Sequence, residues 1–176
     1  MGNDGAGDCE DAPPDDCFRG ASGPGIYDGH VILTDRPNVT PEELAGIRCI
    51  TGELFISSYG LTNVDMLSSL VAVGEEVSIV FSDNLLHVDG LRRLESIGHG
   101  LEIDGNAVLS DLSGLSKLRW LGTTGRRLEG LVVRNNAALP ACWASVLEEQ
   151  TSVQCGNLWG GPWASCDGNA GAGVCE

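Results

Sequence analysis

The amino-acid sequence predicts a mainly β chain wound as a short parallel β-helix, or solenoid, of about four or five coils with helices at its ends. Three observations predict it. First, "DNLLHVDGLRRLESIG" (83–98) carries Leu85, Val88, Leu91, Leu94 and Ile97 at every third position. Alternation by two would suit a strand and a spacing of about 3.6 an amphipathic helix; a period of three suits neither. Second, the beat recurs in register on both sides, each time 24 residues away: Leu61, Val64, Leu67, Leu70, Val73 and Gly74 upstream, and Leu109, Leu112, Leu115, Leu118, Leu121 and Gly122 downstream. Third, a run of strand type precedes each beat: "GELFIS" (52–57), "EVSIVFS" (76–82) and "GLEIDGN" (100–106), with a fourth, "GLVVRNN" (130–136), leading into Leu139. A coil that runs out along a strand and returns through tight turns buries its apolar residues only against its neighbours, hence the repetition.

In chain order, residues 1–25 read as an acidic Gly/Pro-rich linker with little structure of its own. The body spans 26–155 and begins with a strand-like "HVILTD" (30–35). In "TPEELAGIR" (40–48), Thr40, Pro41 and Glu43 form a capping box with proline at the first helical position. The four strand runs place Phe55, Ile79, Ile103 and Val133 at equivalent, inward positions. Ser58, Ser82, Asn106 and Asn136, each three residues before a leading leucine, are expected to bond the backbone of the turns as a ladder. Leu139 follows Leu109 by 30 residues, so the last repeat holds a six-residue insertion within "GTTGRRLEG" (122–130). "PACWASVLEEQ" (140–150) sets Cys142, Trp143, Val146 and Leu147 at helical spacing behind a proline. Residues 156–176 form a glycine-rich tail that disulfides and two tryptophans would have to hold down.

With 42% hydrophobic residues the chain can build a core, while 25 acidic against 10 basic residues give a net charge of -15. That charge repels nucleic acid and anionic lipid and favours cations or basic partners. Seven cysteines sit only at the two ends: Cys9, Cys17 and Cys49 early, Cys142, Cys155, Cys166 and Cys175 late. Such placement indicates disulfides stapling the termini, and so an oxidising compartment. Zinc would need a close Cys pair or clustered histidines, and His30, His87 and His99 are scattered. The odd count leaves at least one cysteine free or paired between molecules. No run approaches the roughly 18 apolar residues of a membrane span. Met1 leads straight into polar residues, the expectation for a mature fragment given a start methionine, and Ala6 stands where a myristoylation signal needs Ser or Thr.

"ELAGIRCITGELFI" (43–56), the 24-residue coils and "NNAALPACWASVL" (135–147) together resemble the receptor L domain, the leucine-rich-repeat-like ligand-binding module of the insulin and epidermal growth factor receptor families. The resemblance covers roughly Tyr27 to Gln150. It implies a right-handed β-helix, a pairing of Cys49 with an earlier cysteine, Cys17 being the better placed, and a pairing of Cys142 with Cys155 or Cys166. A stand-alone module is expected rather than one followed by a kinase, transmembrane or cysteine-rich domain, since the Gly/Asp-rich flanks are more similar to those of bacterial surface lipoproteins or secreted proteins with modules of this kind. The family's ligand sites have no portable motif, so none carries over to single residues.

Catalytic motifs are absent, and no cofactor or metal site is expected. Glu102, Asp104, Asp83 and Arg134 on outward positions would be the carboxylate cluster of a carbohydrate-active β-helix enzyme, or simply a solvated face. Asn63, His87 and Asp111 form a polar column 24 residues apart that could hold a metal but reads rather as surface turn residues, and Asp65 and Asp89 stack likewise, mildly repulsive unless solvated or cation-bound. "NDGAGDCEDAPPDD" and "CDGNAG" lack calcium-loop spacing. "NVT" (38–40) is a glycosylation sequon in a eukaryotic source. The candidate binding face consists of Leu54, Ile56, Tyr59, Val80 and Phe81, read as an outward apolar patch open to a partner unless "HVILTD" or the tryptophan tail covers it. The function expected is non-enzymatic binding or adhesion, to an extracellular protein or glycan, with any membrane attachment through a lipid anchor. A β-helix enzyme and a structural spacer are the alternatives.

Overall fold

The computed structural model describes residue 17, residues 23–122, 130–156 and 166–173, and residue 175. The fold is mainly β, and the described residues form ten strands in two open, wholly parallel sheets. One sheet has two-residue strands: β1 (Ile26–Tyr27), β3 (Cys49–Ile50), β5 (Ala72–Val73), β7 (Ser96–Ile97) and β9 (Trp120–Leu121). The other has longer ones: β2 (Val31–Thr34), β4 (Leu54–Ser57), β6 (Val77–Val80), β8 (Gly100–Asp104) and β10 (Gly130–Arg134). Successive passes of the chain give one strand to each sheet in turn, so neighbours in space are neighbours in the repeat.

The period of three has a local cause. Between β4 and β5, β6 and β7, and β8 and β9 the chain makes a 3-10 turn, at Asp65–Leu67, Asp89–Leu91 and Ser113–Leu115. Three residues complete a turn of that helix, so every third side chain returns to one side. Val64, Leu67, Leu70 and Val73, with their counterparts Val88 to Ile97 and Leu112 to Leu121, are all buried in one core. Gly74 and Gly122 end their beats because the passes lie too close for a side chain. A Cβ would stand 2.2 Å from the Thr51 carbonyl oxygen at Gly74 and 1.7 Å from that of Gly98 at Gly122.

Helix α1 (Pro41–Leu44) carries the anticipated capping box: Thr40 Oγ1 accepts from Glu43 N–H and Glu43 Oε2 from Thr40 N–H. Helix α2 (Cys142–Thr151) buries Trp143, Ala144, Leu147 and Thr151, while Val146 is half-buried and Cys142 turns outward. Three disulfides link Cys17–Cys49, Cys142–Cys175 and Cys155–Cys166, in keeping with an oxidising environment. Cys142 therefore pairs with Cys175, neither of the partners the resemblance implied, because its outward position on α2 faces the end of the tail. Cys9, residues 123–129 where the six-residue insertion was expected, "NDGAGDCEDAPPDD" and the tail tryptophans lie outside the described residues.

The inward set differs from expectation in one strand. Ile56, not Phe55, pairs with Ile79, and Phe55 pairs with Ser78. Leu54 and Ile56 accordingly have no exposed surface and belong to the core rather than to an outward patch. The cause is a single residue. Between strand and ladder residue, β6, β8 and β10 each add one residue in the left-handed region, Phe81, Gly105 and Asn135, and β4 adds none. Counting back from Ser58 by the later repeats therefore slips β4 by one, which inverts every side chain on it. "HVILTD" does not lie across a face either: β2 extends the sheet edgewise beside β4.

Candidate interaction surface

The ladder is built at the bend where each longer strand ends. Ser58 N–H donates to Ser82 Oγ (3.2 Å), Ser82 N–H to Asn106 Oδ1 (2.9 Å) and Asn106 N–H to Asn136 Oδ1 (3.0 Å). The amides of Asn106 and Asn136 return a bond to the preceding strand, at the carbonyls of Ile79 (2.9 Å) and Ile103 (3.0 Å). All four ladder residues are buried, where unpaired backbone groups would be costly. Two rungs escaped the sequence reading. Asp35 Oδ1 accepts from Ser58 Oγ (2.7 Å) and Tyr59 N–H (3.1 Å) at one end, and Asn169 Oδ1 accepts from Asn136 N–H (3.1 Å) at the other. The Ser58 hydroxyl, helped by the Gly60 and Tyr59 backbone against some desolvation, holds the Asp35 carboxyl below its ordinary value. The recurrence of Asp-Gly-Asn at 104–106 and 167–169 was the available signal for the last rung.

Two aromatic side chains flank this ladder. Tyr59 follows Ser58 and Phe81 precedes Ser82, and both are more than half exposed, at 62% and 57%. Phe81 adopts φ +49°, and its ring lies so close over Gly105 that a Cβ there would stand 2.7 Å from ring carbon Cδ1. Asn84 Nδ2 donates to the Tyr59 carbonyl (2.6 Å), and Leu86, 52% exposed, continues the apolar rim along the bend. Of the candidate face, then, Tyr59 and Phe81 are presented at the rim, Val80 points outward but is covered, and Leu54 and Ile56 are interior.

Of the three carboxylates, Asp104 and Glu102 are held by Arg134. Asp104 is buried, and its Oδ2 accepts from Arg134 Nε (2.9 Å) and Nη2 (2.7 Å) while Oδ1 accepts from Asn135 Nδ2 (2.9 Å). Glu102 Oε1 stands 3.7 Å from the same guanidinium, and Asp83 is exposed in the bend beyond Ser82. The polar column closes turns: Asn63 Oδ1 accepts from Asp65 N–H (3.1 Å) and Asp111 Oδ1 from Ser113 N–H (2.6 Å), each opening a 3-10 turn. His87 Nδ1 lies 3.2 Å from Asp89 Oδ2. Among the described residues no three His, Cys, Asp or Glu side chains converge to hold a metal. Asn38 of the sequon borders β2, accepting from Ile32 N–H (2.9 Å) and donating to the His30 carbonyl (2.9 Å).

Small clefts open among the described residues. One of about 120 Å³ lies beside Cys17, Arg48 and Cys49, and one of about 60 Å³ lies between α1 and Met66. Both are well below the roughly 300–1,000 Å³ of small-molecule sites. No protein-family model matches the chain, and no curated protein matches it.

Proposed function

We propose that the chain is a short right-handed parallel β-solenoid of the receptor L-domain type. In this reading it is a non-enzymatic binding or adhesion module, secreted or displayed at a cell surface, that engages a protein or glycan through the rim of its longer-stranded sheet. The observation that carries the reading is Phe81. At the same place in later passes stand Gly105 and Asn135, residue types that accept a left-handed backbone readily. A phenylalanine there costs about 1–3 kcal/mol, and such outliers cluster at binding sites. Its exposed ring and that of Tyr59, each next to a ladder residue on successive passes, give two rigid aromatic anchors. Engagement of Asp104 by Arg134 and Asn135 supports a structural rather than catalytic role for the carboxylates. Three disulfides support an extracellular setting.

The test is a screen of the purified chain against arrays of glycans and extracellular protein domains. A saturable ligand should bind at least tenfold more weakly after Tyr59→Ala with Phe81→Ala, and equally well after Trp120→Ala, since Trp120 is exposed on the other sheet. An equal loss in the Trp120 variant would refute the rim as the site, and the absence of any saturable ligand would favour a spacer.

A further inference from the structure

The tail segment 167–171 meets the body by the same contacts that one pass makes to the next. Asn135 N–H donates to the Asp167 carbonyl (3.0 Å), as Phe81 N–H donates to that of Asp104 (3.0 Å). Asn136 N–H donates to Asn169 Oδ1 (3.1 Å), as Ser82 N–H donates to Asn106 Oδ1 (2.9 Å). Asn169 Nδ2 donates to the Val133 carbonyl (2.7 Å), as Asn106 Nδ2 donates to that of Ile79 (2.9 Å). Gly168 has φ +71° and Gly105 φ +69°. Asp-Gly-Asn thus docks twice, once as part of a continuous pass and once as a separate short segment.

The second docking is selective at each position. A Cβ on Gly168 would stand 2.7 Å from Asn135 Oδ1, and one on Gly171 only 1.8 Å from the Ala138 carbonyl oxygen. Asn169 uses both halves of its amide, so aspartate, which cannot donate, and alanine, which can do neither, both fail there. Gly171 N–H donates to the Leu139 carbonyl (3.0 Å), which fixes the far end of the segment. Disulfides from Cys166 to Cys155 and from Cys175 to Cys142 tether it on both sides.

We infer that the outer edge of β10 and the bend after it form a recognition site for a short Asp-Gly-Asn-x-Gly peptide, of which the chain's own residues 167–171 are the resident occupant. The inference is independent of the aromatic rim and of any extracellular ligand. The site is a strand edge with two carbonyls and two N–H groups on offer, so backbone bonds supply affinity while the two glycines and the asparagine supply selectivity.

The experiment uses the full chain with Cys142, Cys155, Cys166 and Cys175 changed to Ser and Asn169→Ala, which vacates the site and keeps Cys17–Cys49. The probe is a fluorescent peptide of sequence DGNAGAG, residues 167–173, followed by anisotropy. The expected result is saturable binding to this variant, at least tenfold weaker binding of the peptide with alanine for its asparagine, and no binding to the wild-type chain. Equal binding of the two peptides overturns the inference, as does no binding by a variant that keeps the wild-type circular dichroism. A second measurement covers a variant that does not fold. In the disulfide-intact Asn169→Ala chain, the Asn136 amide should exchange at least tenfold faster with solvent, while the Asn106 amide, bonded to Asn136, is unchanged. An unchanged Asn136 rate would overturn the inference as well.

Discussion

Asn106 ties neighbouring passes of the chain together. It accepts from Ser82 N–H, donates to the Ile79 carbonyl and reaches Asn136, all without exposed surface. Asn106→Ala leaves the buried Ser82 N–H without its acceptor and takes a donor from the buried Ile79 carbonyl, at roughly 1–3 kcal/mol for a group left unpaired. The expected loss is about 3 kcal/mol in urea unfolding, with Asn106→Asp similarly severe because a carboxylate cannot donate to Ile79. Asn106→Ser, the residue type found at Ser58 and Ser82, should cost less. This column was legible from spacing alone, since each polar residue stands three before a leading leucine. Asp104 was legible in part: the repeat stacks it with Arg134, but its burial and its further bond to Asn135 depend on how the chain turns after β10.

At the scale of elements, α1 is only four residues long, so its capping box contributes a large share of its stability. Thr40→Ala removes the bond from Glu43 N–H and should lower stability by about 1 kcal/mol in chemical denaturation, with Thr40→Ser nearly neutral. Sequence reading found this helix because a capping box is a contiguous signal. It failed on β4 for the opposite reason. Strand direction is a question of parity, and the extra left-handed residue that β4 lacks cannot be seen in a repeat counted from the ladder. Leu54 and Ile56 were thereby moved from the core to a patch, leaving Tyr59 and Phe81 as the exposed pair.

At the scale of the whole molecule, two long parallel sheet edges need covering. Asn38 borders the β2 edge, and the segment 167–171 borders the β10 edge. The shorter-stranded sheet has a further attachment: Cys17 is buried against Cys49 and Ala72, with Ile26 packed beside them. The Cys17–Cys49 disulfide closes a span of 32 residues, for which chain entropy gives about 3–4 kcal/mol. Cys17→Ser with Cys49→Ser should lower the unfolding free energy by about that amount, read by urea titration under non-reducing conditions.

The sequence by itself determined the repeat, the core leucines, the ladder and the first cap, because each is a local pattern whose period equals a structural one. Only the tertiary structure decided which face β4 shows, which cysteines meet Cys142 and Cys155, and that the tail completes the ladder. Those outcomes depend on one inserted residue, on the direction a helix turns its cysteine, and on contacts between segments whose separation follows no period.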